Sequence, residues 1–372
     1  MSDHVKLSEV CEILNSNVDK KTKENEQKVK LCNFIDVYNN WAITKYTSKK
    51  FMAATATQNE INKFSLKKGY VAITKDSETK DDIGISTYIA DNFDNVLLGY
   101  HCTLLKPNQK VLNGKFLNAY LSSFYGRKYF SNCASGSGQR YTLTIDIIKD
   151  LTIPLINIET QQKIARTLSI LDQKIENNHK INELLHTLAY KIYEYYFKYK
   201  PKNAKLEQII IENPKSSIMV KNAQKTQDKY PFFTSGDNIL FYPKAIIDGR
   251  NCFLNTGGNA GIKFYVGKAS YSTDTWCICA NEFSDYLYLL LSSIKTHINQ
   301  SFFQGTSLKH LQKNLLKKYP IYMPSVHEIK KFNQIIMPLL TLISINTRIS
   351  KKLEQIRDFL LPLLLTQQVK PQ

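Results

Sequence analysis

The sequence predicts an α+β protein. Two similar globular blocks of mixed sheet and helix are each followed by a long helix, and the helices pack as an antiparallel coiled coil with pseudo-two-fold symmetry. Three observations lead to this reading. The first is an internal repeat. Ile164, Leu168, Leu171, Ile175, Asn178, Ile181, Leu185, Leu188 and Ile192 recur as Phe332, Ile336, Leu339, Ile343, Asn346, Ile349, Leu353, Ile356 and Leu360, each 168 residues further on. A repeat of that length means that one structural unit has been copied. The second is the spacing. Both sets step by three and four, the signature of one apolar face of a helix, with a single break just after the Asn. The third is what precedes each helix: short runs of β-branched and aromatic residues bounded by Gly, Asp and Asn, then a helical stretch, then a Gly-containing polar loop.

The boundaries drawn are 1–158 for the first block, 159–200 for the first long helix, 201–322 for the second block and 323–372 for the second long helix. In the first block, residues 5–14 read as a short amphipathic element and 20–30 as a charged loop. Strands are expected at 70–74, 85–89 and 96–105, and a helix at 114–130. The loop Ser135-Gly136-Ser137-Gly138-Gln139-Arg140-Tyr141 follows, then a strand-like Leu151 to Leu155. The second block repeats this in less space, with strands at 253–256, 261–266 and 275–280, a helix at 285–298 and the loop Gln304-Gly305-Thr306-Ser307-Leu308. Tyr120, Leu143, Ile147 and Ile153 match Tyr288, Leu311, Leu315 and Ile321 at the same offset, so the repeat reaches back into the blocks. Each long helix has roughly 40 residues, hence a length of about 60 Å. Helices of that length in a chain without a membrane span usually pack on each other. Asn178 and Asn346 lie near the middle of their helices, and in an antiparallel pair equivalent central positions meet. The two Asn side chains are therefore expected to approach each other as a polar layer that fixes register. The alternative is that both face water.

Composition limits the function classes. The net charge is +18 at pH 7, which favours a polyanionic partner such as nucleic acid. Seven scattered Cys with no CxxC spacing fit a reduced, cytoplasmic protein better than a disulfide framework or a zinc site. The start of the sequence lacks the apolar stretch of a signal peptide, and residues 335–345 are too few for a membrane span. There is no phosphate-binding Gly-x-x-x-x-Gly-Lys-Ser/Thr loop, no dinucleotide fingerprint, no Asn-Pro-Pro-aromatic tetrad of an amino-methyltransferase, no carboxylate cluster of a nuclease and no paired His spacing for a metal. The chain reads as a binder, not a catalyst.

One set of residues carries a family resemblance: Ile153-Pro154-Leu155, then Glu159-Thr160-Gln161-Gln162-Lys163-Ile164-Ala165, then Leu171-Asp172-Gln173-Lys174-Ile175-Glu176-Asn177-Asn178. It resembles the central conserved region of type I restriction–modification specificity subunits. Ile356-Arg357-Asp358-Phe359-Leu360-Leu361-Pro362-Leu363-Leu364 is similar to that family's second conserved helix, and Asp274-Thr275 also fits. The second helix lacks the Gln of the first copy, and Asn157 stands where a proline is common. The resemblance implies that the blocks are target-recognition domains, each reading one half of a split sequence in double-stranded DNA. It implies that the helices act as a ruler and dock two modification subunits, which carry S-adenosylmethionine and methylate adenine. It also allows restriction subunits to join for cleavage. This chain itself would bind no cofactor and catalyse nothing.

Such a reader needs cations for phosphates and side chains with the geometry to reach base edges. In block one, Gln139, Arg140 and Tyr141 offer an amide, a guanidinium and an aromatic ring beside small residues. In block two the candidates are Gln304, Thr306, Ser307 and Lys309, and the turn from Asn255 to Gly261, with Asn259 and Lys263. Phosphate candidates are Lys67, Lys68, Lys75, Arg127, Lys128, Lys221, Lys225 and Arg250. Ordinary turns and solvated surface charges are the plain alternatives for all of these. The aromatic cluster Tyr190, Tyr193, Tyr195, Tyr196 and Phe197 exceeds what one seam can bury, and serves either the block or a partner. The competing function is a coiled-coil scaffold with two protein-binding heads and no specific role on DNA.

Overall fold

The computed structural model describes residues 3–136, 139–223, 229–236 and 239–369. The chain divides into two compact units, Met1–Gln173 with Glu354–Gln372, and Lys174–Leu353. Each unit therefore takes part of both long helices, Ile158–Tyr193 and Val326–Leu365.

In the first unit a five-stranded sheet runs in the order Cys11–Asn15, Cys102–Pro107, Val71–Thr74, Ser86–Ile89, Ala42–Ile43. Helix Gly114–Ser122 covers it, joining Phe116, Leu117 and Leu121 to Val71, Ile73 and Leu105 in one core. Ile164 and Leu168 of the first long helix and Leu361 and Leu364 of the second close the same core. A smaller sheet, Met52–Ala56, Gln27–Cys32 and Val96–Leu98, has its own apolar centre at Leu31, Ala54 and Phe64. Three sequence expectations are corrected here. Residues 96–105 are two strands, Val96–Leu98 and Cys102–Pro107, in different sheets, because the chain turns between them with a Cys102 N–H to Gly99 carbonyl bond. The helix expected over 114–130 is broken at Ser123, the cap between Gly114–Ser122 and Phe124–Cys133. The last four residues of the charged stretch 20–30 open the strand Gln27–Cys32, because Val29 and Leu31 alternate inward.

The second unit holds a four-stranded sheet, Ile211–Glu212, Thr275–Cys279, Arg250–Asn255, Ile262–Val266, backed by helix Ser284–Ser293. As in the first unit, the helix expected here ends early, at Ser293, and a second one follows over Lys295–Ser301. Cys252, Leu254, Trp276 and Ile278 meet Leu287, Leu290 and Leu291, and Phe332, Ile336 and Leu340 of the second long helix complete the core. The aromatic cluster divides. Tyr193 and Phe197 are buried against Tyr286 and Phe332, with the Phe197 ring 4.9 Å from that of Phe332, whereas Tyr195 and Tyr199 stay exposed.

Both long helices begin with the same device at the same offset. Asn157 Oδ1 accepts from the Thr160 N–H at 2.8 Å, and Ser325 Oγ accepts from Glu328 N–H while the Glu328 carboxylate accepts from Ser325 N–H. The first is a cap and the second a full capping box.

Within the second unit the helices run antiparallel, since residue 178 faces 350 and residue 182 faces 346. The expected meeting of Asn178 with Asn346 does not occur. Asn178 Nδ2 donates to Ser350 Oγ at 3.2 Å, and Asn346 Nδ2 donates to Asn182 Oδ1 at 3.0 Å. Residue 182 corresponds to 350 under the 168 offset, so the two bonds are copies of one another. The axis of the repeat passes about two residues beyond each Asn, and the polar layer has four members instead of two. Asn178 and Asn346 are buried, so they do not face water. Replacing both with Leu is expected to leave the buried Ser350 hydroxyl without its partner, at about 1–3 kcal/mol, while the half-buried Asn182 loses the bond from Asn346 and keeps its donations to the Ile343 carbonyl and Thr347 Oγ1. Slipped or oligomeric species should then appear on size-exclusion chromatography. A single monomeric peak with unchanged thermal stability would remove the register role.

Candidate nucleic-acid interface

A three-piece tip recurs in both units. In the first, strand Ser135–Gly136 pairs with Tyr141–Thr142, and Tyr141–Thr142 pairs with Asp76–Ser77. The Leu143 N–H donates to the Lys75 carbonyl at 2.8 Å, and the Lys75 N–H donates to the His101 carbonyl at 3.1 Å. In the second, Phe303–Gln304 pairs with His310–Leu311, and His310 bridges to Gly257. The Leu311 N–H donates to the Thr256 carbonyl at 3.0 Å, the Thr256 N–H to the Asp274 carbonyl at 3.1 Å, and the Gly258 N–H to the Lys309 carbonyl at 2.9 Å. Leu143 and Leu311 are repeat partners, so the hairpin attaches to the sheet in the same way twice. Gly136 is required by this attachment: a Cβ there would lie 2.2 Å from the Arg140 carbonyl oxygen.

The first tip brings together side chains that are distant in sequence. Gln139 and Arg140 are exposed on the hairpin, and Ser137 and Gly138 lie outside the described residues. Arg140 Nη2 lies 2.9 Å from His101 Nδ1 and 3.3 Å from Asp76 Oδ2, and His101 Nδ1 lies 2.8 Å from the same oxygen. The Tyr100 ring stands edge-on to His101 at 5.1 Å, and the Lys75 ammonium sits 4.5 Å above that ring. Burial lowers the Lys75 pKa from its ordinary value, with Asp76 opposing. Lys80 lies over the Tyr141 ring at 5.5 Å. The result is a cationic, aromatic surface with an acidic residue beneath it, a set able to contact phosphates and base edges. Sequence reasoning named Gln139, Arg140, Tyr141 and Lys75 here but missed Asp76, Tyr100 and His101. Only the pairing of three separate segments brings those together, and no spacing signals it.

In the second tip the two loops named from sequence, 255–261 and 304–309, are one surface, joined by the bonds to Thr256 and Gly258. Asn259, Gln304, Thr306, Ser307 and Lys309 are exposed on it. Lys263 faces inward instead. Its ammonium donates to the carbonyls of Thr234 at 2.7 Å and Gly236 at 2.6 Å, which ties a neighbouring loop to the sheet. Lys263 is thus occupied by loop carbonyls and is corrected from base reader to scaffold.

Two phosphate candidates are corrected likewise. The Arg127 guanidinium donates to the carbonyls of Ile83 and Asp81, and burial lowers its pKa. Arg250 forms a two-pronged pair with Asp285 and donates to Thr341 Oγ1 at 2.9 Å, tying sheet to helix. Lys128 is exposed above the Phe124 ring on helix Phe124–Cys133, and Lys67, Lys68 and Lys221 are also exposed. Lys225 lies outside the described residues. Arg127→Ala is therefore expected to leave the salt dependence of DNA binding unchanged and to raise protease cleavage within residues 78–84. A slope lower by about one unit would return Arg127 to the phosphate-contacting set. No helix among the described residues is long and apolar enough to cross a membrane.

Comparison with known proteins places these tips in context. The family model described as type I restriction modification DNA specificity domain matches residues 2–187 and 202–355. The type I restriction enzyme HindI specificity subunit of Haemophilus influenzae is 30% identical over 149 residues, which span 40% of this chain and 32% of that protein. The MjaIX specificity subunit of Methanocaldococcus jannaschii is 24% identical over 340 residues, covering 80% of this chain and 74% of its own length. The solved S subunit of a type I restriction–modification system from M. genitalium shares the fold at a TM-score of 0.57 and 16% identity, over 98% of this chain and 96% of that one.

Proposed function

Since this chain belongs to the type I restriction modification DNA specificity family, with both of its blocks matched, we propose that it is the sequence-reading subunit of a type I restriction–modification complex. Each block reads one half of a split double-stranded DNA target through its tip. The chain docks two modification subunits, which bind S-adenosylmethionine and methylate adenine, and restriction subunits join the same assembly for cleavage. It works in the cytoplasm and performs no chemistry of its own.

The observation that supports this most directly is the duplicated tip, with one hairpin attachment carrying different side chains in each unit. A protein that reads two unlike half-sites needs a constant frame and variable contacts. The excess of Lys and Arg supplies the salt-sensitive part of the affinity, and the exposed amides, hydroxyls and Arg140 supply discrimination between bases.

The test is a methylome. The chain is expressed with its cognate modification subunit in a host free of DNA methylation, and the DNA is sequenced with single-molecule kinetics. A bipartite motif with methylated adenine is the expected result. A purified complex that leaves the genome unmethylated would favour the scaffold reading.

A further inference from the structure

The blocks contain three arginines, Arg127, Arg140 and Arg250. Two are occupied, Arg127 by backbone carbonyls and Arg250 by Asp285. Arg140 alone presents its guanidinium at the surface, with a side chain 56% exposed. It is not loose there. One nitrogen, Nη2, sits against Asp76 Oδ2 and His101 Nδ1, and the Asp76 side chain is only 15% exposed beneath it. Among the described residues Nη1 and Nε have no hydrogen-bond or ion-pair partner, so the donors needed for a two-pronged contact are available there. A guanidinium has five N–H donors in a fixed plane. Holding one corner against a carboxylate sets that plane before a ligand arrives, which limits the entropy lost on contact. The base edge that matches a two-pronged guanidinium is the N7 and O6 pair of guanine in the major groove.

We propose that block one reads a guanine in its half-site through Arg140, and that Asp76 is the positioning residue that aims it. His101 completes the anchor. Its Nδ1 lies within hydrogen-bond distance of both Asp76 Oδ2, at 2.8 Å, and Arg140 Nη2, at 2.9 Å, so the three side chains close one cluster. Block two lacks an available arginine, so its half-site is read by Asn259, Gln304, Ser307 and Lys309 instead. This inference rests on the reading that the chain binds DNA sequence-specifically.

The experiment is a selection from randomised duplexes with the full chain in complex with its modification subunit, comparing wild type with Asp76→Asn, Arg140→Lys and Arg140→Ala. Wild type should return a bipartite motif with a guanine fixed in one half. In Arg140→Ala that guanine should lose about 5- to 140-fold of its preference while the other half-site is unchanged, with a smaller loss in Arg140→Lys, whose ammonium can still reach guanine O6 or N7. Asp76→Asn keeps the arginine but loosens its aim. It should relax the same single position, with the salt dependence of binding preserved. Asp76→Glu should restore part of the preference, which a merely structural role would not predict. A wild-type motif whose guanine survives all three variants, or one in which both half-sites weaken together, overturns the proposal while leaving the DNA-reading function intact. No motif from wild type would overturn both. Thermal unfolding of each variant guards against a folding loss, and Arg140→Ala, changed only at an exposed side chain, keeps the test decisive if Asp76→Asn unfolds.

Discussion

Asp172→Ala is expected to destabilise the first unit by about 3 kcal/mol, the low end of the range for breaking a buried ion pair. Asp172 lies on the first long helix between two cations. Lys115 Nζ is 2.6 Å from one carboxylate oxygen, and Arg357 Nη1 of the second long helix is 3.6 Å from the other. All three side chains are at most 14% exposed. Neither carboxylate oxygen has a well-aligned hydrogen bond, so the attraction is ionic. Removing the acid leaves two buried positive charges with weaker consolation. Lys115 keeps Ser169 Oγ at 2.9 Å, and Arg357 keeps Asp358 and the Trp41 ring, 4.2 Å from its guanidinium carbon. Those remaining contacts are why the low end of the range applies. The chain has two compact units, so a single unfolding curve need not be two-state. Segment-resolved hydrogen exchange is the proper measurement, with faster exchange expected in 112–121 and 160–172. Protection within about 0.5 kcal/mol of wild type, the scale of an ordinary surface substitution, would show that the triad contributes nothing.

Arg250→Ala should do more damage, about 3–5 kcal/mol in the second unit. It strands the Asp285 carboxylate, whose side chain is 2% exposed, and also cuts the contact from strand Arg250–Asn255 to Thr341. The pH dependence gives a second signature. Burial raises the Asp285 pKa above its ordinary value, while Arg250 pulls it down by hydrogen bond and charge. Without the arginine only the upward push remains. A carboxyl with a raised folded-state pKa loses stability as pH rises from its unfolded to its folded value. The variant's deficit should therefore be largest near neutral pH and shrink on acidification, as Asp285 takes up its proton. A deficit that stays constant from pH 7 down to about 4 would mean that the loss comes from packing, not from the stranded charge.

What the sequence disclosed and what it hid follow from range. The long helices were readable because their information is local and written twice, and the seam at steps of three and four needs no tertiary partner. The same holds for Asn157 and Ser325, which cap by bonding three residues ahead. The family resemblance rests partly on Asp172 and Arg357, and the structure gives a physical role to both. The pairing differs from expectation by four residues, Asn178 meeting Ser350 instead of Asn346, because the repeat offset fixes equivalence whereas the true pairing depends on which side chains meet, and Ser350 carries no visible signal. Charge was the least readable feature. Arg127, Arg250 and Lys263 looked like Arg140 in the sequence, yet carbonyls of Asp81 and Thr234 and the carboxylate of Asp285 had already taken them. Those partners lie tens of residues away, and only packing reveals them.

The tip has a consequence for how such a protein changes over generations. Its hairpins are fastened by main-chain atoms, Leu143 to Lys75 in one unit and Leu311 to Thr256 in the other. Main-chain fastening is indifferent to most side chains around it. Residues 139–140 or 306–309 can thus be rewritten with little penalty in folding, provided that Gly136 and Gly305 keep their small size. One tip can change its surface over generations while the other tip, and the main-chain frame that carries both, stays as it is.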